Sequence, residues 1–184
     1  RTHLKDIVRA VSRRVDARIW DVMSDGRTGA TNINFVTISG TWGGNDASEN
    51  PIMDIMEAKQ KIRSYSYNPE GGELYLNSIT HKNLLNWLIN IKGSSIPNWS
   101  SEKVKDGVVM HLLGLNTVIS ENVTSNFGAV AVSKEAVTWH TFMPMTAQPV
   151  TEVGIGVQLR CWEEGEATLV NPRAVCLLSG TGTT

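Results

Sequence analysis

Cysteine is scarce in this chain, net charge is almost absent and no long apolar run occurs, and each of these absences excludes a class of protein. The 184 residues include only two cysteines, which are too few for a disulfide framework. Cys161 and Cys176 each fall in an apolar strand pattern, where a thiol packs as a small hydrophobic group. The formal net charge is −1, so the molecule as a whole has no electrostatic attraction to nucleic acid or to a membrane.

The sequence has no apolar run of about 20 residues and no charged-then-apolar leader, so it predicts neither a membrane span nor export. A hydrophobic fraction of 41% and a charged fraction of 19% are typical of a globular protein of one or at most two domains. The chain begins with Arg1 rather than methionine. We therefore expect a cleaved chain or one that lacks an upstream part.

Recognisable catalytic motifs are absent as well. The glycines at Gly40, Gly43 and Gly44 precede a predicted helix, but they form neither a GxGxxG nor a GK[ST] phosphate-binding pattern. No serine stands in a GxSxG elbow. None of the histidines has a cysteine, a histidine or a carboxylate at metal-ligand spacing. The chain has four of them: His3, His81, His111 and His140. We predict no catalytic residue, no metal site and no cofactor.

The clearest element is an amphipathic helix at about 4–23. Its apolar residues recur at three- and four-residue steps and therefore share one stripe. They are Leu4, Val8, Val11, Val15, Ile19 and Val22. An isolated helix of this length is marginal in water, so the stripe must be covered. Arg9, Arg13 and Trp20 project to the opposite pole, which is either a solvated face or, because an indole there is unusual, a contact with another chain.

Basic charge is concentrated in the first 30 residues, which carry seven Lys or Arg against four Asp. A weak, sequence-independent contact of Arg13, Arg14 or Arg18 with a phosphate backbone is therefore a further hypothesis for this helix.

Short helices and strands follow. Asn50-Pro51 is typical of a helix start, and Ser78 is expected to cap another helix that runs to Ile91. Strands are predicted at 35–38, 73–76, 108–110, 115–120, 128–132 and 137–142. Residues 155–162 and 174–178 predict a closing strand pair, about 153–178, joined by an acidic turn at 163–166.

The segment "GVVMHLLGLNTVISENV", residues 107–123, resembles a segment of the major capsid proteins of tailed phages, the Hong Kong 97 type. In that family a strand ending in Leu-Leu-Gly is followed by an apolar V-x-x-S strand. The surrounding order is similar too: a striped helix, a G-x-W segment, a Pro-opened helix, Y-x-P before a short strand, and another helix. Late in the chain come a G-x-x-x-x-x-R strand at 154–160 and NP-x-A-x at 171–175. The similarity covers nearly the whole sequence.

The resemblance implies an α+β fold with a spine helix at about 4–23. Residues 1–50 and 146–184 would form a peripheral domain, and residues 51–145 an inserted axial domain. The closing strand pair would cover the apolar stripe of the spine helix. It would leave Arg160 and Trp162 for the outer face or a neighbouring subunit.

The function implied is that of a viral coat subunit, not an enzyme, which self-assembles into an icosahedral shell around double-stranded DNA. Candidate interface residues are Arg9, Arg13, Trp20, Trp99, Arg160 and Trp162. Candidate DNA-facing residues are Arg13, Arg14 and Arg18. The implied partners are copies of the chain in pentamers and hexamers, other virion proteins such as portal or scaffold, and packaged DNA through non-specific contacts, with no membrane. The implied location is the virion, assembled in the host cytoplasm.

Family members carry an N-terminal arm and an extended loop before the spine helix, and neither appears in this sequence. We therefore expect a truncated or cleaved core and transfer no crosslinking residue.

Two alternatives remain open at this point. One is an encapsulin-like compartment, which packages enzymes rather than a genome. The other is a small enzyme with a dispersed site, for which a deep pocket lined by His81, His111 or His140 with carboxylate partners would be the expected sign.

Overall fold

The computed structural model describes residues 2–25, 32–38, 40–44, 49–88, 111–152, 154 and 156–181. The helices are α1 Thr2–Met23, α2 Pro51–Ser64 and α3 Ser78–Asn86. The strands are β1 Asn34–Thr37, β2 Glu73–Leu76, β3 His111–Leu112, β4 Leu115–Ile119, β5 Phe127–Ala131, β6 Val137–Glu152, β7 Gly156–Leu169 and β8 Val175–Ser179. This mixed set confirms the α+β class. Within these residues, the helices are too short or too polar to span a bilayer.

Six strands form a single mixed sheet in the order β1-β8-β5-β2-β4-β3. β8 runs parallel to β1 and antiparallel to β5, while β2 runs parallel to β4. Residues 175–178 of β8 are completely buried, which explains their unbroken apolar run, since a strand covered on both faces needs no polar side. The buried apolar side chains of its strands form much of the hydrophobic core.

α2 packs across β1, β8 and β5. Its start is as predicted, because the side chain of Asn50 accepts a hydrogen bond from the Met53 amide at 3.3 Å and Pro51 occupies the first turn. Ile55, Ala58 and Ile62 recur on one face and are fully buried against the sheet.

The N-cap of α3 lies one residue earlier in the sequence than predicted. The Asn77 side chain accepts from the Thr80 amide at 2.7 Å, so Asn77 is the cap and Ser78 is the first helical residue. The helix continues as α-helix to Asn86; the predicted end at Ile91 and the predicted strand at 108–110 lie outside the described residues.

The predicted closing strand pair is wrong. β7 is one strand from Gly156 to Leu169, and it pairs antiparallel with β6 in a separate two-stranded ribbon. Its acidic residues at 163–166, expected as a turn, continue the strand, and β8 belongs to the large sheet. The ribbon register runs from Val137 opposite Leu169 to Glu152 opposite Gly156, with irregularities between Thr141 and Thr146. We call this β6–β7 pair the ribbon.

α1 packs along the ribbon, mainly against β7. The expected cover of its apolar stripe is therefore present, although it comes from β7 and β6 rather than from β7 and β8. Val8, Val11 and Val15 of the stripe are half-buried, and Leu4 remains exposed.

The predicted domain boundaries do not coincide with breaks in this architecture. Residue 146 lies inside β6, and the six-stranded sheet joins β1 and β8 to strands of the predicted axial domain. α1 and the ribbon form one two-layer part of the molecule, which is a different division from 1–50 with 146–184.

Candidate subunit interface

The C-terminal half of α1 is anchored to the loop that follows β4. Trp20 Nε1 donates to Thr124 Oγ1 at 3.0 Å, and Asn122 Nδ2 donates to Asp16 Oδ2 at 2.7 Å. Asn122 Nδ2 also donates to the Arg13 carbonyl at 3.1 Å, and the Ser120 hydroxyl donates to Asp16. These contacts hold α1 against the segment that follows β4 of the six-stranded sheet.

The expectation that Trp20 meets another chain is wrong. Its side chain is only 4% exposed and joins the core of its own chain. The helical wheel placed it correctly opposite the apolar stripe, but this pole faces the loop at 120–124. The reason is that α1 lies between two parts of the protein and buries a second face near its C-terminal end.

The arginines of α1 remain at the surface. The Arg9 side chain is 80% exposed and lies 3.9 Å from the Asp6 carboxylate, and Arg13, Arg14 and Arg18 are exposed as well. The guanidinium groups are therefore accessible to another molecule.

The ribbon exposes apolar side chains along most of its length. Phe142 and Val157 are 70% and 72% exposed, and other large apolar residues are also open to solvent. These are Met143, Met145, Leu159 and Trp162. Trp162 Nε1 donates to Met143 Sδ at 2.9 Å across the strands. Sequence analysis found Trp162 but missed Phe142 and Val157, because a long two-stranded ribbon was not recognised in residues 137–152.

The distal part of the ribbon is exposed on both faces. In β7, residues 156–160 are all exposed, including Arg160, whereas 161–169 alternate between half-buried and exposed. A 14-residue strand extends over about 46 Å, while α1 with 22 residues is about 33 Å long. α1 is therefore too short to cover the ribbon. A two-stranded ribbon in water is at best marginally stable by itself, so its open faces favour a further partner.

Trp99 lies outside the described residues.

The groups considered for catalysis are dispersed. His81 is 8% exposed on α3 and burial lowers the pKa of its imidazole, while His111 and His140 are exposed on other elements. Burial raises the pKa of the Cys176 thiol to about 12, so this group is inert. In the part of the chain that the structure describes, no three His, Cys, Asp or Glu side chains are arranged to hold a metal ion.

A concave surface beside α2 carries charged groups rather than histidines. Among the described residues its lining includes Asp54, Glu57, Lys59 and Glu70. These groups are engaged in structural contacts: Asp54 accepts from Trp42 Nε1 at 2.9 Å, and Lys59 Nζ lies 2.9 Å from the Glu70 carboxylate. The pocket expected for an enzyme is not formed by these residues.

Comparison with solved structures identifies the fold. The chain is similar to a chain of Mycobacterium phage Che8 with a TM-score of 0.74 and 16% identity, covering 98% of this chain and 63% of that one. It is similar to the capsid structure of the cyanophage P-SCSP1u with a TM-score of 0.72 and 12% identity, covering 99% and 66%. It is also similar to the holo-SrpI encapsulin complex of Synechococcus elongatus, with a TM-score of 0.56 and 11% identity, covering 97% and 64%.

No family model and no curated protein sequence matches the chain. The structural likeness nevertheless confirms the predicted fold, which is that of tailed-phage capsid proteins. The chain spans about two thirds of the length of these structures, 63% for Che8 and 66% for P-SCSP1u.

Proposed function

We propose that this chain is part of a major capsid protein, a structural subunit that assembles with copies of itself into an icosahedral shell around double-stranded DNA. The observation that carries the proposal is the long ribbon with exposed apolar side chains on a capsid fold. An apolar surface of this kind marks a protein interface when it is contiguous, and the fold neighbours include a phage capsid.

Rigidity supports the same function. A shell repeats a small number of contacts many times, so its subunit must hold its contact surfaces in fixed positions. The hydrogen bonds of Asp16 and Trp20 to the loop at 120–124 fix α1, and α1 in turn supports the ribbon. A structural role also agrees with the dispersed arrangement of the candidate catalytic groups.

The finer features of a virion remain part of the proposal. They are pentamers and hexamers of the subunit, contacts with portal or scaffold proteins, packaged DNA held by non-specific contacts with Arg13, Arg14 or Arg18, and assembly in the host cytoplasm. Trp162 and Arg160, on the exposed ribbon, remain candidate interface residues.

An encapsulin-like shell is the second candidate, because the holo-SrpI encapsulin complex is among the similar folds. It requires the same self-association but a protein cargo in place of a genome. The content of the particle distinguishes the two functions.

The test is to express the full-length protein and to examine it by sedimentation velocity and electron microscopy. We expect closed particles of uniform size. Particles that package nucleic acid or that form with portal and scaffold proteins support the capsid, while particles that capture a protein cargo favour the encapsulin. A protein that stays monomeric at high concentration, with and without scaffold, would contradict both.

A further inference from the structure

The ribbon has two edges, and they differ in how well they are protected against a further strand. β6 contains Pro144 and Pro149, which have no backbone N–H to donate, and its register is irregular between Thr141 and Thr146. β7 contains no proline, and half-buried and exposed residues alternate regularly over 161–169. Prolines and bulges protect an exposed strand edge from pairing, and of these two strands only β6 has them. We call the outer side of β7 the open edge.

The backbone groups on the open edge follow from the hydrogen bonds of the ribbon. The Val170 amide, just after β7, donates to the Ala136 carbonyl, just before β6, at 3.0 Å. Bonded and non-bonded pairs alternate in an antiparallel ladder, so odd-numbered residues of β7 direct their N–H and C=O groups away from β6. Pro149 agrees, because its partner is the odd-numbered Leu159 and such a pair needs no N–H from the proline. In the described ranges, these outward groups make no hydrogen bond with another part of the chain.

The sequence of β7 is complementary to itself when two copies run antiparallel about Trp162. Hydrogen bonds form across the open edge only if odd-numbered residues lie opposite odd-numbered ones. The register centred on Trp162 meets this condition. It also places Arg160 of each copy opposite Glu164 of the other, and Gln158 opposite Glu166. Opposite charges that lie directly across a strand pair stabilise the pair, whereas like charges destabilise it.

The two neighbouring registers that also allow these hydrogen bonds fit less well. Centring on Glu163 keeps one kind of charge pair, Arg160 with Glu166, but it places the Glu163 carboxylates of the two copies opposite each other. Centring on Cys161 places Arg160 opposite Trp162 and so removes the pairing of arginine with glutamate. Charge and aromatic pairing therefore favour the register centred on Trp162.

The same register brings exposed apolar side chains of each copy next to the covered part of the other. Val157 and Leu159 are 72% and 39% exposed, and by alternation they share the face of β7 that carries Gly165 and Ala167. Pairing places Val157 opposite Ala167 and Leu159 opposite Gly165, which lie beside the C-terminal part of α1. The apolar end of each β7 is therefore covered beside the α1 of the second copy.

We propose that two copies of the chain join through their open edges, antiparallel and centred on Trp162, so that two ribbons form one four-stranded sheet in the order β6-β7-β7-β6. This inference rests on the proposed self-assembly and names one of its contacts. The backbone hydrogen bonds supply affinity, and the side-chain pairs fix the register. Because the same surface is used by both copies, the contact is isologous and lies on a two-fold axis. An icosahedral shell contains such axes.

The first experiment places a cysteine on the proposed axis. Trp162→Cys is introduced into the full-length protein together with Cys161→Ala, so that the native thiol at the neighbouring position cannot react. Residues opposite each other in a non-hydrogen-bonded pair have Cα atoms about 4.5 Å apart, which is within the range of a disulfide. Thr168→Cys with Cys161→Ala is the matched control. Residue 168 is exposed on the same face but would lie about 40 Å from its copy.

Assembled particles of both variants are oxidised mildly with oxidised glutathione and separated by non-reducing electrophoresis. We expect most Trp162→Cys chains and few Thr168→Cys chains to form covalent dimers. Particles in which both variants crosslink equally little would overturn this inference while the shell function stands. Slow amide exchange of β7 in such particles would assign the open edge to a strand from elsewhere in the protein. A wild-type protein that forms no particles would contradict the proposed function and this contact together.

The second experiment exchanges the charges across the contact. In their own ribbon Arg160 and Glu164 lie opposite Gln148 and Met143, so the exchange alters no cross-strand charge pair within a chain. Arg160→Glu and Glu164→Arg are made singly and together in the full-length protein. Lys134→Glu is the matched control, because Lys134 is exposed in the turn before β6 and the change in net charge equals that of Arg160→Glu.

Circular dichroism establishes that each charge variant is folded, and sedimentation velocity then measures assembly. We expect each single variant to need about tenfold more protein for half-maximal assembly, because like charges then face each other across the contact. The double variant should regain most of the wild-type assembly, and the control should behave as wild type. Single variants that assemble as well as wild type, or a double variant that assembles no better than the single ones, would overturn the proposed pairing.

Discussion

Lys59 is a buried cation that holds three parts of the chain together. Its ammonium group donates to the Leu113 carbonyl in the turn between β3 and β4, and it lies 2.9 Å from the Glu70 carboxylate in the turn before β2. Arg63, one turn further along α2, also contacts Glu70. The hydrogen bond from Lys59 is the main reason that the pKa of Glu70 lies below its usual value, with the charges of Lys59 and Arg63 adding to it.

This contact predicts a pH-dependent effect of Glu70→Gln. A carboxyl whose pKa is lower in the folded state stabilises the fold above its unfolded pKa, and that contribution is lost as the pH falls through the folded value. We therefore expect the variant to be less stable than wild type at pH 7, because Lys59 loses its counter-charge. The difference should shrink as the pH falls below the ordinary glutamate pKa of 4.5.

Urea unfolding followed by circular dichroism, from pH 7 down to about pH 3, measures this difference. Glu57→Gln is the control, because Glu57 forms an exposed i,i+4 pair with Lys61 at 3.2 Å and such pairs contribute about 0.5 kcal/mol or less. A Glu70→Gln variant that matches wild type at pH 7 would show that Lys59 needs no counter-charge.

At the scale of elements, the two strands of the ribbon pack closely where Trp139 meets Gly165. Trp139 lies across β7 on the face that carries Gly165, and its Nε1 donates to Glu163 Oε1 at 3.2 Å. A Cβ at Gly165 would lie 2.5 Å from Cζ2 of the indole and 2.7 Å from the His140 carbonyl oxygen. Glycine is therefore required here by close approach of the neighbouring strand.

Gly165→Ala is expected to destabilise the protein by about 1–3 kcal/mol, the usual cost of overpacking. The added methyl must displace either the Trp139 ring or the backbone of β6, and it loosens the ribbon next to Arg18 and Val22 of α1. Equilibrium urea unfolding gives the change. Thr168→Ala, at an exposed position of the same strand, is the control and should shift stability by about 0.5 kcal/mol or less. Equal stability of the two variants would mean that the indole has room to move.

At the scale of the whole molecule, the ribbon is the part whose environment would change in the proposed assembly. β8 is buried in the six-stranded sheet of a single chain, whereas residues 156–160 of β7 are exposed on both faces. Amide hydrogen exchange reports such local differences in stability.

We predict that amides of the ribbon at 146–152 and 156–160 exchange quickly in the dissociated protein and slowly in the shell. The amides of β8 should be protected in both states and so provide an internal control. Hydrogen exchange with mass spectrometry on assembled and dissociated samples measures this contrast. Fast exchange of the ribbon in both states would mean that the exposed apolar surface is not an interface.

Part of the fold was predictable because local chemistry specifies it. The stripe on α1, the cap at Asn50 and the buried run in β8 depend on residues a few positions apart, so periodicity and capping rules apply. The resemblance of residues 107–123 and their surroundings to capsid proteins added the order of the elements, and the structural comparisons confirmed the fold.

The errors of prediction concern contacts between distant residues. The alternation of β7 predicted a strand but contained no information on its partner, so residues 137–152 were not recognised as the other half of the ribbon. The acidic residues at 163–166 predicted a turn, because charged residues are frequent in turns. A strand with one face open to solvent accommodates charged side chains on that face equally well.

The sequence by itself determined where α1, α2 and β8 lie and which of their faces are apolar, because neighbouring residues set helix and strand periodicity. Only the tertiary structure decided that Trp20 binds Thr124, which is 104 residues away, and that α1 is covered by a ribbon. Such contacts depend on how whole elements are placed in space, and no local pattern specifies that placement.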